Sequence, residues 1–164
     1  MEQNSYIPLL GLALRGGRLA AGADAVEAAA REHKARLLLT SADAPERIRR
    51  ARTRLAQEAQ CMELDLPCGK EELGHALGRG DVSILALTDT GLAAAVGRRL
   101  AALDPERYGE ASARLDLKER RAKERKQTAP LHSTEKRRKK ASALSHARGR
   151  PAKRKPTTDN KRGR

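Results

Sequence analysis

The sequence has no Trp and no Phe, and its aromatic content of 1% comes from Tyr6 and Tyr108 alone. A chain with two rings cannot build the stacking platforms on which many proteins bind unpaired bases. It has only two cysteines, Cys61 and Cys68, which are too few for a disulfide framework or a four-thiolate zinc site. We therefore expect both to be buried structural thiols, and we expect any nucleic acid to be bound without aromatic stacking.

Long apolar runs are also missing. No stretch approaches the ~18 consecutive apolar residues of a membrane-spanning helix. Residues 1–4 lack the basic flank of a secretory signal, and no long apolar region follows them. These absences predict a cytoplasmic protein that does not bind membranes.

The sequence lacks the usual motifs for nucleotide binding and catalysis. A phosphate-binding P-loop requires a second glycine five positions before Gly69 and a Ser or Thr after Lys70, and neither is present. No Gly-x-Gly-x-x-Gly fingerprint occurs either. His33 and His75 have no nucleophile or carboxylate at a recognisable spacing. We therefore expect no catalytic residue, metal site, cofactor or small-molecule substrate.

Charge divides the chain into two parts. Residues 1–104 contain 14 basic and 14 acidic residues, whereas residues 105–164 contain 21 and 7, so the whole net charge of +14 lies in the second part. That part has few large apolar residues and no Val, Ile or Phe, so it cannot bury enough surface to offset chain entropy. The composition predicts one compact domain over residues 1–104 and a basic, largely disordered tail over residues 105–164, with a helical stretch near 112–126.

Helical and strand-like segments alternate through the first 104 residues. Apolar residues at helical spacing predict helices over residues 7–15, 23–33, 45–59, 70–77 and 89–103. Short apolar runs predict strands over residues 18–21, 35–40, 61–66 and 82–87. Because helices alternate with four short strands, we expect an α/β fold, a three-layer α/β/α sandwich around a four-stranded mixed sheet.

Segment 14–26 is the strongest candidate for a binding site. Arg15, Gly17 and Arg18 precede Gly22, at which a new helix begins with free backbone N–H groups. Such groups favour a phosphate. The same glycines also serve simply to end one helix and begin the next, and spacing alone does not choose between the two interpretations.

An ordered series of short motifs resembles a known family. In chain order these motifs are Leu10-Gly11-Leu12-Ala13, Arg15-x-Gly17-Arg18, Gly22, Lys34-Ala35-Arg36-Leu37-Leu38-Leu39, Glu72-Leu73-Gly74-x-Ala76-x-Gly78 and Thr88-Asp89-x-Gly91. Each motif is weak alone. Together, their order and spacing resemble the L-seven-Ae and L-thirty-e superfamily of ribosomal proteins, in its small bacterial branch called YlxQ-like. The resemblance covers about residues 5–103 and excludes the tail.

This resemblance implies an α/β/α protein that binds structured RNA, often a kink-turn, without catalysis. The RNA surface of the family is the start of the second helix together with the loop before the last strand. Carried onto this sequence, the surface and its neighbourhood comprise Arg15, Gly17, Arg18, Gly22, Ala23, Asp24, Arg79 and Gly80. We expect these eight residues to form one RNA-binding site.

The sequence departs from the kink-turn binders at three positions in the second helix. Where those proteins carry Asn, Glu and Lys, this chain has Asp24, Ala25 and Ala28. A carboxylate accepts hydrogen bonds but cannot donate them, and the two alanines make neither polar contact. These departures weigh against highly specific kink-turn reading, whereas backbone and phosphate contacts at Gly22 remain available.

The favoured hypothesis is a non-enzymatic RNA-binding protein of the ribosome or translation machinery, with ribosomal proteins as further candidate partners. Basic runs such as 136–140 and 153–155 would add non-specific phosphate contacts. One alternative is a protein-interaction module of a ribonucleoprotein that docks through Arg47, Arg50 and Arg54 of the third helix. Another is an accessory RNA-binding domain of an RNA-modifying enzyme. Arg47, Arg50 and Arg54 are equally compatible with an ordinary solvated face of the helix.

Overall fold

The structure, a computed structural model, describes residues 4–128. Within this range, six helices and four strands follow one another as α1 (Ile7–Arg15), β1 (Leu19–Ala21), α2 (Ala23–Arg31), β2 (Leu37–Thr40), α3 (Glu46–Ala59), β3 (Met62–Asp65), α4 (Lys70–Ala76), β4 (Ile84–Leu87), α5 (Thr90–Leu103) and α6 (Pro105–Thr128). The alternation expected from the sequence is confirmed, with bounds that differ by one or two residues.

The four strands form one mixed sheet in the order β1-β4-β2-β3. Strand β4 is antiparallel to both β1 and β2, whereas β3 is parallel to β2. Ala21 lies opposite Leu85 and Thr40 opposite Ile84, so β1, β2 and β3 all end where β4 begins. This side of the sheet is named the upper edge, and the opposite side is the lower edge. The chain passes the upper edge at Gly22, Ser41, Leu66 and Ser83.

Helices cover both faces of the sheet. Helices α2 and α3 pack on one face, where Val26 and Leu55 are buried. Helices α1, α4, α5 and α6 pack on the other face, through residues such as Leu10 and Leu100. All four residues of β2 are buried because both faces of this strand are covered, as its continuous apolar run predicts. The three-layer α/β/α sandwich around a four-stranded mixed sheet is thereby confirmed.

The compact unit is longer than composition predicts. The sequence places a boundary at residue 104, but α6 begins at Pro105 and buries Tyr108, Ser112 and Leu115. The compact unit that contains the sheet extends to Glu124. The domain boundary at 104 is therefore too early, and the prediction of a disordered tail does not hold for residues 105–128, which form α6. The rest of that prediction, over residues 129–164, lies outside the described residues.

Spacing explains how so few apolar residues attach α6. Tyr108, Ser112 and Leu115 are four and three positions apart, which places them on one face of the helix. A Cβ atom at Gly97 would lie only 2.8 Å from Leu115 Cδ1, so the missing side chain on α5 makes room for Leu115. The helix expected near residues 112–126 is present and starts earlier.

The longest described helix, α6, has 24 residues and carries charged side chains along most of its length. Within residues 4–128, no helix combines the length and the apolar character needed to cross a bilayer.

Candidate nucleic-acid interface

The upper edge brings together the start of α2 and the loop before β4. Gly22 is the N-terminal cap of α2, and Ile84 is the first residue of β4. The Gly22 amide donates to Ile84 O at 3.0 Å, so a hydrogen bond joins the two segments. Residues 78–83 form the loop that leads directly into β4. Segments 22–24 and 79–80, which are distant in the sequence, therefore lie at the same edge of the sheet.

The start of α2 presents unused backbone donors. Gly22 has a φ of +93°, a conformation that L side chains rarely adopt, and no side chain caps the helix. The first intrahelical bond runs from Val26 N to Gly22 O at 3.0 Å, so the amides of Ala23, Asp24 and Ala25 precede the hydrogen-bonded ladder. These three residues are exposed, and a Cβ at Gly22 would meet no atom within 4 Å. An anion can therefore approach the three amides freely.

Backbone packing against α4 fixes the loop before β4. Arg79 N donates to Gly74 O at 2.9 Å. A Cβ atom at Gly74 would lie 2.0 Å from Gly80 O, so only glycine at position 74 allows the loop to come this close. The Arg79 side chain is exposed and has no ion-pair partner among residues 4–128. It is therefore free to contact a ligand at the upper edge.

The lower edge holds the remaining predicted residues. Thr88 N donates to Arg18 O at 3.0 Å, which places Arg18 beside the end of β4. Its Nη1 lies 3.1 Å from Asp89 Oδ2, so the charge of Arg18 is already paired. Arg18 and Gly22 flank β1, and the four residue steps between them span roughly 13 Å at about 3.3 Å per residue. Arg15 is exposed at the end of α1, on the same side of β1 as Arg18.

The eight predicted residues lie in two groups at opposite edges of the sheet, and their part in RNA binding stays a prediction. Five of the predicted residues, Gly22, Ala23, Asp24, Arg79 and Gly80, lie at the upper edge. The other three, Arg15, Gly17 and Arg18, lie at the lower edge. Gly17 has a φ of +67° and serves the turn between α1 and β1. The strand predicted over residues 18–21 already carried the signal for this separation, because an extended strand moves its two ends apart.

Charges near the candidate interface nearly cancel. The exposed carboxylate of Asp24 adds a negative charge beside the free amides. Lys70, the first residue of α4, pairs with Asp81 of the loop, with Nζ 3.6 Å from Asp81 Oδ2. Arg79 is then the one unpaired cation of the described segments 22–24 and 78–83. RNA binding at this edge would depend on backbone donors and on positive charge supplied by other parts of the molecule.

Helix α3 also begins at the upper edge, and one of its arginines is structural. Arg52 points into the protein, where its Nε donates to Glu63 Oε2 at 3.0 Å. Its Nη1 contacts Asp65, whose carboxylate also accepts from Thr40 Oγ1 at 2.8 Å. Burial acts to raise the pKa of Asp65, but the hydrogen bonds from Thr40 and Arg52 outweigh it and lower this pKa. This role of Arg52 is not predicted from the sequence, because helical spacing alone does not reveal a carboxylate on a neighbouring strand.

The outer side of α3 carries a shallow groove of about 350 Å³, named here the arginine groove. It is lined by Glu46, Arg49, Arg50, Thr53, Arg54 and Gln57. Arg49 Nη2 donates to Ala42 O at 2.6 Å, while Arg49 Nε is buried with no hydrogen-bond partner in the described part of the chain. Two of the three arginines predicted as a docking face, Arg50 and Arg54, line this groove.

The cysteines and histidines offer no comparable site. Cys68 is buried and Cys61 is half-buried, so the expectation of two buried thiols holds fully for Cys68 alone. Burial raises the pKa of both thiols. His33 and His75 are exposed near helix ends. Residues 4–128 contain no group of three or more His, Cys, Asp or Glu side chains arranged to hold a metal ion.

Comparison with known proteins establishes the fold alone. No family model matches the sequence, and no curated protein matches it. A solved protein of unknown function from Bacillus halodurans is similar in structure, with a TM-score of 0.53 and 22% sequence identity. The match covers 57% of this chain and 94% of that protein. At this identity the likeness shows a shared fold and carries no information on activity.

Proposed function

We propose that this chain is a non-catalytic, cytoplasmic RNA-binding protein of the ribosome or translation machinery that docks structured RNA at its upper edge. The observation that supports this most strongly is the juxtaposition of the start of α2 with the loop before β4. The first segment offers three unused amides, and the second offers the unpaired side chain of Arg79. The resemblance to the L-seven-Ae superfamily assigns RNA contacts to these same two segments.

RNA docking at this edge requires binding contacts and no catalytic group. Amides of residues 23–25 suit a phosphate oxygen, and the missing side chain of Gly22 lets the RNA backbone approach closely. Arg79 can pair with a phosphate or make two hydrogen bonds to the edge of a guanine. Asp24 can accept hydrogen bonds from base N–H groups but repels a phosphate, so it weakens binding where the backbone lies closest.

The basic C-terminal residues supply the attraction that the upper edge lacks. Residues 105–164 carry the whole net charge of +14, and charge of this kind binds nucleic acid through counterion release. If about 6 phosphates are contacted, the logarithm of affinity falls against the logarithm of salt concentration with a slope of about −5. We expect the full chain to bind RNA strongly at low salt and to distinguish RNA shapes mainly at the upper edge.

A binding assay with matched variants tests this function. The full chain would be titrated with a kink-turn RNA and with an uninterrupted RNA duplex of equal length, at two salt concentrations. Arg79→Gln should weaken kink-turn binding more than duplex binding. Asp24→Asn should strengthen kink-turn binding by about 1 kcal/mol, because the amide adds a donor and removes a negative charge. Arg99→Gln, an exposed arginine of α5, is the control for loss of one charge.

Equal affinity for the two RNAs, unchanged by Arg79→Gln and Asp24→Asn, would contradict the proposal. That result would mean that the C-terminal charge alone attracts RNA and that the upper edge takes no part.

A further inference from the structure

The upper edge lies next to a source of positive charge. Helices α2 and α3 pack on the same face of the sheet and contact each other. Both begin at the upper edge, because α2 follows the end of β1 and α3 follows the end of β2. Packed helices have axes about 8–10 Å apart. An RNA docked at the start of α2 therefore comes within reach of α3.

The arginine groove concentrates charges that repel one another. Arg50 and Arg54 are four residues apart on one face of α3, a spacing at which like charges destabilise a helix. Glu46 is the sole acidic residue that lines the groove, and its ion pair with Arg50 leaves the two side chains 68% and 80% exposed. A pair that exposed offers little stabilisation. Arg54 has no ion-pair partner among the described residues.

Arg49 adds a third positive charge to the lining of the groove. Its Nη2 is held by Ala42 O, so the guanidinium is fixed in place at one wall of the groove. Its Nε is buried and has no hydrogen-bond partner in the described residues. Arg49 therefore holds a fixed positive charge at the edge of the groove.

The lining of the groove distinguishes nucleic acid from protein as its occupant. All six lining side chains are polar or charged. Protein interfaces have an apolar, aromatic-rich centre, and no aliphatic or aromatic residue lines this groove. A phosphate backbone needs no apolar contact and is held by arginines directly.

We propose that the arginine groove binds the sugar-phosphate backbone of the RNA docked at the upper edge, with Arg50 and Arg54 each contacting a phosphate. The two residues are separated by about 6 Å along the helix axis at 1.5 Å per residue. This inference rests on the proposed function and extends it, because it names the surface that orients the RNA after the start of α2 has engaged it.

The test compares two double variants of the full chain. Arg50→Gln with Arg54→Gln removes one arginine paired to a glutamate four residues away and one unpaired arginine of the groove. Arg31→Gln with Arg99→Gln removes an equivalent pair outside both the groove and residues 105–164, because Arg31 is paired with Glu27 at the end of α2 and Arg99 is an exposed arginine of α5 with no ion-pair partner among residues 4–128. Both double variants lose two charges at exposed positions. Arg50→Lys with Arg54→Lys keeps the charge and serves as the rescue variant.

Each protein would bind the same kink-turn RNA between 50 and 200 mM salt. Loss of two phosphate contacts should make the salt slope of the groove glutamine variant shallower by about 1.8. Over this salt range the affinity of the wild type should therefore fall about tenfold more than that of the variant. The control variant should keep the wild-type slope, and the lysine variant should restore it.

Four results would overturn the inference. An unchanged salt slope in the groove glutamine variant, while Arg79→Gln still weakens RNA binding, would show that the groove does not contact RNA. The proposed function would remain intact. Equal slope changes in the groove and control variants would show that only net charge matters. Loss of an acidic protein partner without any change in RNA binding would identify the groove as a protein-docking surface. Absence of shape-dependent RNA binding in the wild type would refute the proposed function and this inference together.

Discussion

Leu115→Ala tests whether α6 belongs to the compact domain. Leu115 is 1% exposed and fills the space left by the missing side chain of Gly97. Truncating a fully buried leucine costs about 2–5 kcal/mol through lost burial and the remaining cavity. Helix α6 lies at the surface and can move partly into the cavity, so we expect about 3 kcal/mol, within that range. This is a large share of the roughly 5–15 kcal/mol that stabilises a typical domain.

Leu117→Ala is the matched control, since it removes the same atoms two residues further along the same helix. Leu117 is 43% exposed, so its truncation should change the free energy of unfolding by about 0.5 kcal/mol or less. Urea unfolding of the full-length variants measures both effects. Equal losses of stability in the two variants would refute the packing of α6 described above. A protein that stops at residue 104 should likewise be much less stable than one that stops at residue 128.

Two further predictions concern the loop before β4 and the acid response. Gly74→Ala forces a Cβ to within 2.0 Å of Gly80 O, so we expect a loss of roughly 1–3 kcal/mol and weaker RNA binding, measured by thermal unfolding and titration. Gly80→Ala meets no atom within 4 Å and should keep wild-type stability; equal destabilisation by both would contradict the close approach. Because the pKa of Asp65 is lowered in the folded protein, its ionised carboxylate stabilises the fold above pH 3.8, the ordinary pKa of Asp. This stabilisation is lost as the pH falls through the pKa that Asp65 has in the folded protein. Asp65→Asn should therefore flatten the loss of stability below about pH 4, and an unchanged acid transition would contradict this.

Much of the sheet could be predicted because its signals are local. The run of Leu37, Leu38 and Leu39 predicts a strand covered on both faces, and all three are fully buried. Asp89 was placed at the start of the last helix of the predicted domain, and its carboxylate accepts from Leu92 N at 2.8 Å. Such features depend on residues within one helical turn or one strand, so sequence spacing is sufficient to find them.

The features that the sequence did not reveal depend on contacts between distant elements. Composition assigned residues 105–124 to a tail, because a helix with a few apolar residues on one face has the same average composition as a solvated chain. The packing of Leu115 against Gly97 is visible only when α5 and α6 are brought together.

RNA cross-linking on the full chain determines whether the upper edge contacts RNA. The protein would be bound to a kink-turn RNA, irradiated and digested, and the cross-linked peptides would be identified by mass spectrometry. We expect cross-links in segments 22–26 and 78–83 in addition to those in the basic C-terminal residues. A competing RNA duplex should reduce the cross-links in these two segments less than those in the C-terminal residues. Cross-links confined to residues 105–164, or clustered at Arg15 and Arg18 of the lower edge, would contradict this expectation.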